Sequence, residues 1–312
     1  MSTARSAELR RRRLIGVIMV LAAAVCFASM PTFAKISYEH GANPIGLLTA
    51  RYLFGGLCLI LFLFLRRRLN PLGRQHLVAV LLAVILCVQS FSFFRSLELT
   101  STVVAVLLLY TYPLIVTIVS TVLFGERADR NTYLVLALGF IGVGLSLGTN
   151  FDGLSIPGAL FALNSGILFA VFLMISKRSM EGKGLGPIET VAYLYLVCAT
   201  IYLVAFGLLD GQLPTGRTGL LGLFGVIAIG TIGSMTLFYL GLERLPAGVT
   251  SMLSTLEPAV SVLLAAIFLG EAVSLQQVAG IALVLAALAA LGFLVLRREP
   301  DREPTATRPP VT

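Results

Sequence analysis

The stretch Ser254-Thr255-Leu256-Glu257-Pro258 runs into an apolar segment, Ala259 to Leu269, that closes on Gly270-Glu271. It places a carboxylate and a proline inside a segment long enough to cross a bilayer. Nearly the same pattern stands 145 positions earlier: Tyr112-Pro113, an apolar run, then Gly125-Glu126. Two copies at a fixed offset point to a chain built from two related halves.

The match widens on either side. Residues 93–138 overlay 238–283 without a gap: Phe93 meets Phe238, Leu97-Glu98 meets Leu242-Glu243, and Ala137-Leu138 meets Ala282-Leu283. Upstream, at slightly different offsets, Phe27-Ala28 matches Phe169-Ala170, Lys35 matches Lys177, and Pro44-Ile45 matches Pro187-Ile188. Apolar matches alone carry little weight in Leu-rich text. The prolines and the Gly-Glu and Leu-Glu pairs carry more.

Composition says where those halves live. Of 312 residues, 57% are hydrophobic and 12% charged, with mean hydropathy +0.95. Ordinary soluble domains are roughly a quarter charged. Apolar runs of membrane-spanning length recur at about 14–36, 45–65, 76–95, 102–123, 131–148, 156–176, 188–209, 218–241, 247–269 and 275–296,. The expected fold class is therefore an all-α integral membrane protein with ten transmembrane helices. No soluble domain fits between them. The start is read as an uncleaved first helix, because its apolar run outlasts a signal-peptide core and nine spans follow. Residues 1–13 form a basic N-terminus, and the polar tail 297–312 is expected to be disordered.

Several functions drop out. There is no GxxxxGK[ST] loop for a nucleotide,. His40 and His76 lack companion ligands, and Cys26, Cys58, Cys87 and Cys198 fall inside spans without a CxxC pair, so they read as packing residues,. No metal or other cofactor is implied. The net charge of +8 does not signal nucleic acid. With the N-terminus inside, 19 of the 23 Lys and Arg fall on one side, the exceptions being Lys35, Arg51, Arg95 and Arg217. That asymmetry sets orientation in a cell membrane, with both termini cytoplasmic, and meets anionic lipid headgroups.

The boundary between the halves falls at the Gly148 to Ser155 turn, giving repeats at 14–148 and 149–296. Five spans is an odd number, so the second half enters from the opposite side. The repeat is expected to be inverted, a recurring plan of secondary transporters with the substrate site between the halves. One chain then supplies a complete pair, and a monomer suffices.

Ten spans, two five-span repeats and the Pro…Gly-Glu signature late in each half resemble the drug/metabolite transporter superfamily, and within it the EamA-like transporters. The resemblance covers about residues 14–296 and implies movement of small metabolites, many of them outward, through a cavity between the repeats. It does not name the cargo.

Glu257 is the leading site candidate. A carboxylate at bilayer depth costs about 3 kcal/mol on insertion scales, so it normally faces protein or a water-filled cavity. Thr250, Ser254, Glu257 and Ser261 follow at helical spacing, one polar stripe on one face. Pro258 removes a donor and should free the carbonyl of Ser254 beside the carboxylate. In the first half, Tyr112 takes the place of Glu257 with Tyr110 close by, and both offer an apolar ring with one hydrogen-bonding group. Gln89, Asn164 and Tyr239 complete the candidates, each competing with a role as interhelical glue. Arg51 could snorkel to the interface or pair with a carboxylate. The Gly-Glu pairs read as helix ends, a cap followed by charge at the next N-terminus.

The expected function is an exporter of a small amino-acid-like or drug-like solute, working by alternating access in the bilayer. Because burial penalises an ionised carboxylate, a proton is the natural coupling ion at Glu257. A membrane scaffold or sensor, and an integral-membrane lipid-modifying enzyme, are the competing classes. The enzyme would need convergent catalytic groups at one depth, and none are evident.

Overall fold

A helix of about 20 residues covers the roughly 30 Å of hydrocarbon in a bilayer, and that length recurs along this chain. The structure, a computed structural model, describes residues 2–68, 73, 75–100, 102–124, 130–147, 155–180, 185–269 and 273–297. Among them there are helices and no strands. In order these are α1 (Ser2–Glu39), α2 (Pro44–Leu65), α3 (Gln75–Leu99), α4 (Thr102–Leu109), α5 (Tyr112–Phe124), α6 (Arg130–Leu147) and α7 (Ile156–Met180). Then follow α8 (Pro187–Leu208), α9 (Gly216–Ile227), a π-helical turn Ala228–Gly233, α10 (Ser234–Leu242), α11 (Ala247–Leu253), α12 (Leu256–Leu269) and α13 (Leu275–Arg297).

Nine segments among the described residues are long and apolar enough to cross a membrane, and α13 adds an apolar stretch, Leu275–Leu291. Three spans are composite. The fourth is α4 with α5, the eighth is α9, the π turn and α10, and the ninth is α11 with α12. The first helix is longer than the apolar run alone requires, because it continues outward through Arg10 to Arg13. Arginine is a good helix former, and its charge needs only to clear the hydrocarbon. The faces of α2 and α3 turned away from the protein carry Phe54, Leu57, Leu61, Val84, Val88 and Phe91. Such faces suit lipid tails.

The starts of α2 and α8 are built alike. Each opens on a proline at its first turn, where the missing N–H is not needed. Asn43 caps α2, accepting from the amide of Gly46 at 2.8 Å and from that of Gln212 at 3.0 Å, while its own amide donates to Asp210 O. A Cβ on Gly46 would sit 1.9 Å from the carbonyl oxygen of Gln212. Glycine is therefore required for the α1–α2 corner to seat on the segment after α8.

The packing has one regularity. α2 lies along α8, and α6 along α13. α3 packs on α7 as α1 packs on α9 and α10. α7 also holds α4 and α5, as α1 holds α11 and α12, and α5 meets α11. Exchange every span for the one five places away and this set of pairings maps onto itself, as two fused copies of one fold would require. The Gly-Glu pairs at 125–126 and 270–271, the turn from Gly148 to Leu154 and the tail from residue 298 lie outside the described residues.

Candidate functional site

The fourth and ninth spans are both broken near their middles, by the same backbone device. At Tyr110-Thr111 the amide of Thr111 drops back to Leu108 O (3.2 Å), and its hydroxyl donates to the same carbonyl at 2.7 Å. At Ser254-Thr255 the amide of Thr255 drops back to Met252 O (3.2 Å), and its hydroxyl again donates there at 2.7 Å. Each break is followed by a half-helix with a proline in its first turn, Pro113 in α5 and Pro258 in α12. Threonine satisfies the orphaned carbonyl, and proline occupies a turn that has no N–H partner to lose.

The carbonyl of Ser254 does not stay free. The amide of Glu257 donates to it at 3.1 Å. The expected free acceptor beside the carboxylate is thus replaced by a tightened turn, because the chain had already broken one turn before Pro258.

The two breaks meet where α5 and α11 touch. Glu257 lies halfway along the Ala247–Phe268 span, in the first turn of α12, where helix dipoles favour negative charge. The hydroxyl of Tyr110 lies close enough to its carboxylate to interact with it, and the hydroxyl of Tyr112 lies beside that of Ser254. Tyr110 is 5% exposed and Tyr112 3%. Glu257 keeps partial exposure. Four candidates from the sequence, Glu257, Tyr110, Tyr112 and Ser254, thus form one cluster from both halves.

An aromatic path leaves this cluster. Tyr112 meets Phe169 edge-on at 4.7 Å, Phe169 stacks on Phe172 at 5.8 Å, and Phe172 reaches Tyr239 at 6.3 Å. Tyr239 joins the cluster only through these rings, and its hydroxyl pairs with Ser176 at 2.8 Å. Phe169 and Phe172 did not stand out in the sequence as neighbours of this cluster. The Phe27-Ala28 and Phe169-Ala170 match was the signal, noted for the repeat alone. A Cβ on Gly166 would lie 2.9 Å from the carbonyls of Leu108 and Leu109, so the broken fourth span rests directly on α7.

The remaining candidates are tied up elsewhere. Thr250 is buried, its hydroxyl on Pro246 O at 3.1 Å, and Ser254 also donates to Thr250 O at 3.1 Å. The hydroxyl of Ser261 ties α12 to Ala28 O of α1 at 3.1 Å. The amide of Gln89 donates to the hydroxyl of Ser165 (2.8 Å), and that of Asn164 to the hydroxyl of Ser92 (2.9 Å). Both clamp α3 against α7, the glue role weighed for them. Arg51 does not snorkel. It is 8% exposed and lies over the ring of Tyr52 at 4.9 Å. A small cleft lined by Val135, Leu136, Gly139, Met252, Thr255 and Ala287 is almost wholly apolar and holds no titratable group.

The sequence pattern defining the EamA-like transporter family matches twice, at residues 14–148 and 156–293. The chain belongs to that family. Among EamA-like relatives, an uncharacterized transporter of Bacillus subtilis, YwfM, is 27% identical over 291 residues, covering 93% of this chain and 96% of that one. The threonine/homoserine exporter RhtA of Escherichia coli K12 is 28% identical over 272 residues, covering 87% and 89%. A solved crystal structure superposes with a TM-score of 0.76 at 22% identity, covering 90% of this chain and 99% of that chain; that likeness concerns the fold. This EamA-like chain is a multi-pass membrane protein of a transporter family, and its partners are the bilayer and a small solute.

Proposed function

We propose that this chain is a secondary transporter that exports a small amino-acid-like or drug-like metabolite by alternating access between two inverted five-helix repeats, 14–148 and 149–296. The observation that carries the reading is the meeting of the two broken spans at Glu257. Discontinuous helices at repeat-related positions are a common way to build a solute site inside a membrane. The packing that maps onto itself under exchange of spans, the double family match and the exporter named among the relatives all support it. Rocking of one repeat against the other would expose the cluster of Glu257, Tyr110, Tyr112 and Ser254 first to one side and then to the other. Glu257 would bind and release the coupling proton. The Lys and Arg asymmetry supports residence in the cell membrane with both termini cytoplasmic,.

The test compares metabolites in the medium of overexpressing and null cells. A solute enriched outside overexpressing cells, and no longer enriched with Glu257→Gln, is the expected result. Indistinguishable media would point to the scaffold or sensor reading.

A further inference from the structure

Arg51 takes no part in the Glu257 cluster, and its setting is unusual. A guanidinium within a span is costly and is generally retained where it pairs or serves a pathway. Arg51 is 8% exposed, and among the described residues no carboxylate pairs with it. One terminal nitrogen donates to the thioether of Met30 at 3.0 Å, a weak acceptor. Among the described residues its Nε has no partner, and neither do the buried hydroxyls of Tyr38 and Tyr202. Arg51 acts electrostatically on both tyrosines. The three come from α1, α2 and α8, and Tyr202 stacks on Tyr52 at 5.5 Å, with Tyr52 in turn beneath the guanidinium.

The corner that holds them is tied by hydrogen bonds. The Asn43 clasp fixes the start of α2 against the segment after α8, and the hydroxyl of Thr49 donates to Tyr202 O at 3.0 Å. Polar atoms left without partners in a buried apolar setting call for an outside partner, a water, an ion or a ligand group. Three donors and a single fixed positive charge define the ligand's chemistry. A carboxylate is a monoanion that takes the guanidinium edge and accepts from two hydroxyls. A phosphate dianion would leave an uncompensated charge.

We infer that Arg51, Tyr38 and Tyr202 form a carboxylate-binding subsite on the transport pathway, so that the solute is a small carboxylic acid or amino acid. The inference rests on the transporter reading and deepens it. With both termini cytoplasmic, the subsite lies toward the outer end of the pathway, apart from Glu257.

Thermal stability of the purified full-length protein tests it with matched probes: L-threonine and its methyl ester, L-phenylalanine and its amide, succinate and succinamide, and inorganic phosphate. At least one carboxylate should raise Tm, while its masked counterpart and phosphate do not. Arg51→Gln should weaken that response about tenfold, the loss of one charge-assisted contact, and Arg51→Lys should recover part of it. Tyr38→Phe and Tyr202→Phe should each weaken it severalfold, and they decide the matter if Arg51→Gln does not fold. Stabilisation by no carboxylate, equal stabilisation by a masked probe, or an unchanged response in these variants would overturn the subsite. Metabolite release is read separately. Release of a solute without any carboxylate response sinks only the subsite, and carboxylate binding without release sinks only the transporter.

Discussion

The breaks in the fourth and ninth spans share a backbone and differ in chemistry. Both use a threonine to satisfy the loosened turn and a proline to start the next half-helix. Around those matching turns, one half presents Tyr110 and Tyr112 and the other presents Ser254 and Glu257. The duplicated features serve architecture, and the unduplicated ones are where function can differ from symmetry. Arg51 obeys the same rule. Aligning Pro44 with Pro187 places Tyr52 on Tyr195, two rings 5.4 Å apart, but it places Arg51 on Leu194. Each lone charge belongs to one half only.

The comparison is broken most severely at its acidic side. Glu257→Gln keeps the shape and removes the titrating group, and solute flux should fall by roughly two orders of magnitude, a loss in the range of a missing general acid or base. The variant should still purify as a folded protein. Tyr110→Phe removes the tyrosine hydroxyl that interacts with Glu257, and flux should fall about tenfold, the equivalent of one hydrogen bond to a charged group. Tyr112→Phe should cost less, since its hydroxyl meets Ser254 and not the carboxylate. Equal losses in the two variants would mean that Tyr110 has no special relation to Glu257.

Much of this was legible in the sequence because charge and proline are rare in apolar text. Glu257, Pro113 and Pro258 stand out against Leu and Val, and ten hydrophobic runs follow from the length a bilayer demands. The exact break points were not legible. Proline suggested a kink beside itself, whereas the chain breaks one turn earlier at Ser254-Thr255, where the threonine hydroxyl competes for a backbone carbonyl. Which hydroxyl meets Glu257 depends on how α5 crosses α11, and one sequence does not contain that angle. Arg51 was legible as a charge near the start of span two, able to snorkel or to pair; its burial over the ring of Tyr52 was not, because that depends on how α2 packs.

Smaller effects separate the glue from the site. Gln89→Leu and Asn164→Leu each remove one clamp between α3 and α7. Each should lower stability by about 0.6 to 1.7 kcal/mol, read as a lower Tm, with flux per folded molecule unchanged. Smallest of all, Pro113→Ala and Pro258→Ala should shift Tm alike and by little, since both prolines sit in first turns. A large difference between the two would show that one break carries strain the other lacks.

The account stands or falls on whether Glu257 couples transport to protons. Flux of the solute found by metabolite release should be followed in proteoliposomes under an imposed pH gradient, for the wild-type protein and for Glu257→Gln. Wild-type flux that rises and falls with the gradient, with residual Glu257→Gln flux indifferent to it, is the predicted result. Glu257→Gln flux that keeps the wild-type dependence on the gradient would contradict it.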